Sequence, residues 1–139
     1  MRVLSYLIAL VTGATLSLSQ AFAVEMMMPD EAYAKVEKGE IVLVDIRTPQ
    51  EWAETGVPEP AKVIDMTSAN FVPDLKQVMA DNPGKPIAFI CRTANRSTYL
   101  VAELEKYGLK DIYSVEGGIA GNAKDKGWIA DGLPMRKQP

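Results

Sequence analysis

The sequence predicts an α/β domain with a mostly parallel sheet covered by helices on both faces. Three observations carry that expectation. Aliphatic, β-branched runs recur at residues 41–46, 86–90 and 112–115, and runs without polar alternation belong to strands buried on both faces. Helical segments separate these runs, so successive strands need crossover connections and come out parallel. The chain has 139 residues, 47% hydrophobic and 24% charged, enough for one core and little more.

The first segment reads as a leader rather than as part of the fold. Met1-Arg2 is a short positive start, residues 3–12 (VLSYLIALVT) are apolar, and a more polar stretch leads to Ala21-Phe22-Ala23. This is the three-part pattern of a secretory signal peptide with an A-x-A cleavage site after Ala23. The alternative, an uncleaved anchor, is disfavoured because the run falls well short of the roughly 20 apolar residues that span a bilayer. No Cys follows the run, which excludes a lipid-modified terminus. The expected organisation is a signal peptide over 1–23 and a single domain over 24–139, located in the periplasm with no stable membrane association after cleavage.

Within the domain, Pro29-Asp30 opens a short polar helix through about Val36, ended by Lys38-Gly39. After the strand at 41–46, Thr48 as N-cap, Pro49 at the first position and Glu51 closing a capping box start the next helix. Gly56 to Pro60 is a turn, 62–65 a short strand, and 71–79 a helix that stops before Asn82-Pro83-Gly84. The strand at 86–90 runs directly into Cys91. From Arg96 the pattern is helical, with Leu100, Val101, Leu104 and Tyr107 on one face and Gly108 as the stop. After the strand at 112–115, Gly117-Gly118 turns into an expected last helix over 119–126. Parallel sheets bind ligands beyond the carboxyl ends of their strands. Cys91 sits at such an end.

Composition removes several functions. Net charge is −3 with no basic cluster, so nothing would neutralise the phosphates of a nucleic acid. There is no histidine, which excludes His-based acid–base catalysis, Cys–His pairs and the usual zinc or copper ligand sets. No metal and no cofactor is expected. Cys91 is the single cysteine, so no internal disulfide forms, and a free thiol in an oxidising compartment is either fully buried or has a task.

The loop Cys91-Arg92-Thr93-Ala94-Asn95-Arg96-Ser97 lies between a buried strand and a helix N-terminus. Its successive N–H groups would form a nest, and the helix adds unsatisfied N–H groups and the positive end of its dipole. With Arg92 and Arg96 close by, a thiol there is expected to ionise readily. Two plainer readings are a buried, inert Cys and an Arg96 that merely pairs with a carboxylate near the helix start. Against them, Cys91 stands at the polar exit of the apolar run, and a cation at a helix N-terminus usually has an anion to meet.

The loop closely resembles the active loop of rhodanese sulfurtransferases, C-R-x-x-x-R-[ST]. Three further segments are similar to that family: Asp45-Ile46-Arg47-Thr48-Pro49 with Glu51-Trp52, Gly56-Val57-Pro58 through Ile64, and Glu116-Gly117-Gly118-Ile119. The resemblance spans about residues 25–134. It implies a rhodanese-like fold with a five-stranded parallel sheet and a catalytic Cys91 cycling between thiolate and persulfide. It also implies that the backbone amides of Arg92, Thr93, Ala94, Asn95 and Arg96 cradle the sulfur, supported from behind by Asp45, Arg47 and Ser97. Two positions depart from the family, Val57 where His is common and Asn122 where Trp is usual. Neither removes a catalytic group. Met26-Met27-Met28 could suggest copper(I), but its position matches the family's short first strand and core packing is expected. The carboxylates between Glu51 and Glu59 are expected to be a solvated face and turn.

The spacing bears on the chemistry. Cysteine phosphatases use a loop one residue longer, around a tetrahedral phosphate, and need a positioned carboxylic acid for the leaving group. The four residues between Cys91 and Arg96 suit a single sulfur atom. Arsenate reduction by a disulfide relay needs a second Cys. The expected function is a thiosulfate-type sulfurtransferase with a small anionic donor such as thiosulfate and a thiol or cyanide acceptor, working as a monomer. The alternative is a non-catalytic module that holds persulfide or an anion. For the leader, N-terminal sequencing of protein from its native host is expected to begin at Val24; a periplasm-free protein retaining Met1 would refute export.

Overall fold

The computed structural model describes residues 23–139; the leader through Phe22 lies outside them. Five parallel strands form the main sheet in the order β1-β6-β5-β2-β4. They are β1 (Met26–Met27), β2 (Val42–Asp45), β4 (Lys62–Val63), β5 (Ile87–Ile90) and β6 (Ile112–Val115). A two-stranded antiparallel ribbon, β3 (Val57–Pro58) with β7 (Met135–Arg136), sits apart from it. Helices α1 (Pro29–Glu37), α2 (Pro49–Thr55), α3 (Phe71–Asp81), α4 (Asn95–Lys106) and α5 (Gly127–Ala130) complete the chain. The α/β class and the five parallel strands are as the sequence predicts. Among the described residues no helix is long and apolar enough to cross a membrane.

The strand period of two sorts the core into two layers. Val42, Val44, Ile87, Phe89 and Ile112 pack with Phe71 and Leu75 of α3 and with Leu100 and Val101 of α4. Leu43, Ala88, Ile90 and Val115 pack on the other face with Met27, Ala32 of α1 and Trp128 of α5. Met26 and Met27 form the short first strand, but of the three methionines expected to pack in the core only Met27 does; Met26 and Met28 are exposed. The same alternation carries Cys91 onto the face shared with Phe89. Its side chain therefore lies on the α4 side of the sheet, immediately before the helix begins.

The end of β2 is locked by a buried ion pair. Arg47 contacts both oxygens of Asp45 through Nε and Nη2, at 2.8–3.1 Å, and both residues are almost wholly buried. The remaining guanidinium hydrogens reach Thr55 Oγ1 and the Gly56 carbonyl, and the Trp52 indole N–H donates to Asp45. A buried pair repays its desolvation only when its leftover donors and acceptors are met, and here the C-terminal end of α2 meets them. Ile46 N–H then donates to the Ile90 carbonyl at 3.0 Å, which ties this fixed strand end to the residue before Cys91.

Two expectations need correction. No helix occupies 119–126. The N–H groups of Ile119 and Ala120 are used by the carbonyls of Cys91 and Arg92, Gly121 and Gly127 take positive φ, and the short α5 begins only at Gly127. Tyr107 is not on the buried face of α4. It caps the helix where the chain turns away at Gly108, and it stands 83% exposed.

Candidate active site

The Cys91 loop is shaped by what binds its carbonyls. Ile119 N–H donates to the Cys91 carbonyl at 2.9 Å and Ala120 N–H to that of Arg92 at 2.8 Å. Asn122 Nδ2 donates to the Thr93 carbonyl at 3.0 Å. The Ala94 carbonyl accepts from Thr98 N–H at 2.9 Å and from Ser97 Oγ at 3.2 Å. All four carbonyls are taken. By contrast, the N–H groups of Arg92, Thr93, Ala94, Asn95 and Arg96 have no acceptor among the described residues. Ala94 stands at the head of α4 in the left-handed region, φ 76°, an uncommon and costly conformation for a residue with a Cβ. Alternation of backbone handedness is what turns consecutive amides into an anion-binding concavity.

Close packing of Gly118 makes this possible. A Cβ there would lie 2.5 Å from the Cys91 carbonyl oxygen and 2.7 Å from that of Arg92, and its φ of +59° disfavours a side chain in any case. The segment after β6 can approach the loop from behind only with glycine at this position. Asn122 occupies the position of the family's Trp, and it also donates to Glu116 Oε1 at 2.9 Å. A polar clamp on the loop stands where an aromatic ring is usual.

Cys91 Sγ lies at the base of the loop, 3.4 Å from Ser97 N–H and 3.5 Å from Ser97 Oγ. Ser97 thus touches the sulfur itself. The Cys91 residue is fully buried, whereas Arg92 and Asn95 are exposed. Among the described residues the Arg92 guanidinium has no carboxylate partner.

Arg96 is placed differently. Its Nη1 and Nη2 donate to the two oxygens of Glu51 at 2.8 and 2.6 Å, a bidentate pair joining α4 to α2. This corrects the expectation that Glu51 belongs to a solvated face, and it bears out the plainer reading that Arg96 pairs with a carboxylate. Glu51 closes the capping box with Thr48 and braces the Cys91 loop with the same carboxylate. The Arg96 hydrogen bonds, with help from the Thr48 N–H and hydroxyl, outweigh partial burial and hold the Glu51 carboxyl down at about 2. Arg96 is correspondingly raised, chiefly by Glu51. Asp45 and Arg47 are joined to the loop through the strand ends and make no hydrogen bond to Cys91. Among the described residues no cluster of His, Cys, Asp and Glu could hold a metal.

With this geometry in view, comparison with known proteins is decisive. A model of the rhodanese-like domain matches residues 28–125. The chain belongs to the rhodanese-like family. It is 33% identical over 91 residues to the thiosulfate sulfurtransferase GlpE of Pseudomonas syringae, covering 66% of this chain and 79% of that protein. An uncharacterized protein of Rickettsia prowazekii is 33% identical over 100 residues, 68% of this chain and 81% of its own length. Among solved structures, the polysulfide-sulfur transferase homodimer of Wolinella succinogenes superposes with a TM-score of 0.63 at 33% identity, over 84% of this chain and 80% of that one.

The brace gives a pH signature. A carboxyl whose folded value lies below its ordinary 4.5 contributes stability above that value and loses it as pH falls toward about 2. The thermal midpoint of the wild type is expected to exceed that of Glu51→Gln at neutral pH, and the gap to close as pH falls from about 4.5 toward about 2. A gap unchanged across that window would show that the pair does not brace the loop.

Proposed function

We propose that this rhodanese-like domain is a sulfurtransferase that carries sulfane sulfur as a persulfide on Cys91. The observation behind the proposal is that Cys91 opens a loop whose five successive N–H groups, Arg92 to Arg96, have no acceptor among the described residues. Successive amides left without acceptors suit a small anion, and oriented amides stabilise charge without reorganising. The resemblance to a thiosulfate sulfurtransferase and a polysulfide-sulfur transferase supports a sulfane-sulfur donor.

In this reaction the Cys91 thiolate attacks the outer sulfur of thiosulfate. The new S–S bond forms as the donor's S–S bond breaks, and sulfite leaves with the electron pair. The terminal persulfide sulfur then rests among the amides of Arg92 to Arg96. A thiol or cyanide acceptor attacks that outer sulfur and returns Cys91 as thiolate. Arg92, exposed and without a carboxylate partner, anchors the dianionic donor at the rim. Arg96 contributes its amide, while its guanidinium holds the loop through Glu51. The donor approaches from the exposed side of the loop, which carries Arg92 and Asn95. The apolar leader and its A-x-A site support an exported protein in the periplasm.

Complete burial of Cys91 favours a second reading, a module that holds persulfide or an anion without turnover. Intact-protein mass spectrometry after thiosulfate separates the two. The wild type is expected to gain one sulfur atom and lose it on adding cyanide, whereas Cys91→Ser gains none. Arg92→Ala is expected to raise KM for thiosulfate about 10- to 100-fold, the worth of a charge-assisted hydrogen bond, with a smaller effect on kcat. A sulfur adduct that survives excess cyanide would select the holding module. Transfer at the wild-type rate by Cys91→Ser would sink both.

A further inference from the structure

The Cys91 thiol is buried, and its protonation is served by no acid–base side chain of the usual kind. The chain has no histidine. The Glu51 carboxylate is held by Arg96, Asp45 is enclosed by Arg47 and Trp52, and Glu116 is bound by Asn122. The exposed side of the loop carries Arg92, whose guanidinium has no carboxylate partner among the described residues, and its positive field opposes passage of a proton there. A proton leaving Cys91 needs another way out.

Three hydroxyl groups supply one. Cys91 Sγ is 3.5 Å from Ser97 Oγ, Ser97 Oγ is 2.7 Å from Ser114 Oγ, and Ser114 Oγ is 3.0 Å from Thr98 Oγ1. Ser97 and Ser114 are fully buried, while Thr98 is half-buried. Thr98 lines a surface cavity of about 600 Å³ together with Met26, Ala94, Asn95, Glu116 and Lys124, and its hydroxyl also reaches the exposed Met26 Sδ at 3.9 Å. Strand register explains the alignment. Ser114 shares its face of β6 with Ile112, which packs against α4, so its hydroxyl meets the first turn of that helix. A buried serine in an otherwise aliphatic strand costs stability unless its hydroxyl is bonded, and here both of its bonds lie along the path.

We propose that Ser97, Ser114 and Thr98 form a hydroxyl relay that passes the Cys91 proton to solvent through the cavity beside the first turn of α4. The proposal rests on the sulfurtransferase reading for its role, since each cycle needs Cys91 as thiolate. The transfer balances without any co-reactant besides water. The S–H bond breaks with its electron pair left on sulfur, and the proton goes to Ser97 Oγ. The Ser97 hydroxyl turns from the Ala94 carbonyl, which keeps its bond from Thr98 N–H, and passes its proton to Ser114 Oγ 2.7 Å away; the Ser114 proton passes to Thr98 Oγ1, and the Thr98 proton to a water molecule in the cavity. Each oxygen ends with one hydrogen, and each hydroxyl now donates toward the sulfur. The act of removing the proton leaves the chain polarised to hold the thiolate. Ser114 and Thr98 are positioning residues, since neither touches the sulfur.

Because Cys91 is the single cysteine, its S–H stretch is the sole thiol band in the infrared spectrum. Its exchange to S–D after mixing with D₂O, at a pH low enough to keep the thiol protonated, reads the relay directly and needs no sulfur donor. Thr98→Val keeps the side-chain shape and removes the exit hydroxyl, Thr98→Ser restores it, and Ser114→Ala breaks the middle link. Thr98→Val and Ser114→Ala are expected to slow exchange at least about tenfold, the effect of one lost hydrogen bond along the path, with Thr98→Ser close to wild type. Backbone amide exchange around Cys91 is expected to stay unchanged in all three. Wild-type thiol exchange in folded Thr98→Val or Ser114→Ala would overturn the relay and show that water reaches the thiol through the loop mouth. A slowing matched by equal changes in amide exchange, or not restored in Thr98→Ser, would assign the effect to packing and likewise overturn it. Failure of thiosulfate transfer leaves this readout untouched, so the two ideas fall separately.

Discussion

The N–H groups of Ile119 and Ala120 bind the carbonyls of Cys91 and Arg92 from behind, and the rest of the site depends on that pair of bonds. A peptide loop of this length carries as many acceptors as donors, and with its carbonyls free it would attract cations as readily as anions. Engaging every carbonyl from Cys91 to Ala94 leaves one sign of potential in the ring. The cost is a glycine at 118, where a Cβ would collide with both carbonyls, and a left-handed alanine at 94. Strain of that kind persists where surrounding structure over-determines it, and the segment after β6 does so here.

Charge is arranged with the same economy. Two arginines flank Cys91, but Glu51 occupies one of them with both oxygens. Arg96 thereby becomes a strut between α2 and α4, and Arg92 is left exposed and without a carboxylate partner among the described residues. Beneath, the buried Asp45–Arg47 pair fixes the end of β2 against α2. The proposed chemistry requires little more than a rigid amide ring, a sulfur at its base and one free cation.

Much of this was legible in the sequence because it depends on local signals. Aliphatic runs marked β2, β5 and β6, and Thr48-Pro49-Gln50-Glu51 marked the start of α2 to the residue. The Cys91 loop was visible from its position between strand and helix and from its family resemblance. What escaped notice depends on partners distant in sequence. Glu51 is a sound cap on local grounds, and nothing nearby shows that its carboxylate also reaches Arg96, 45 residues on. Residues 119–126 have helical composition, yet their first N–H groups serve Cys91 and Arg92. Ser114 and Thr98 carried no pattern at all, since a hydroxyl declares its use only through its neighbours.

The central claim is that the amides of Arg92 to Arg96 hold the transferred sulfur. Its most direct test is a ¹H–¹⁵N correlation spectrum recorded before and after thiosulfate converts Cys91 to the persulfide. Downfield movement of those five amide protons, largest in the molecule and absent in Cys91→Ser, is the predicted result. A persulfidated protein whose five amide signals stay in place would contradict it.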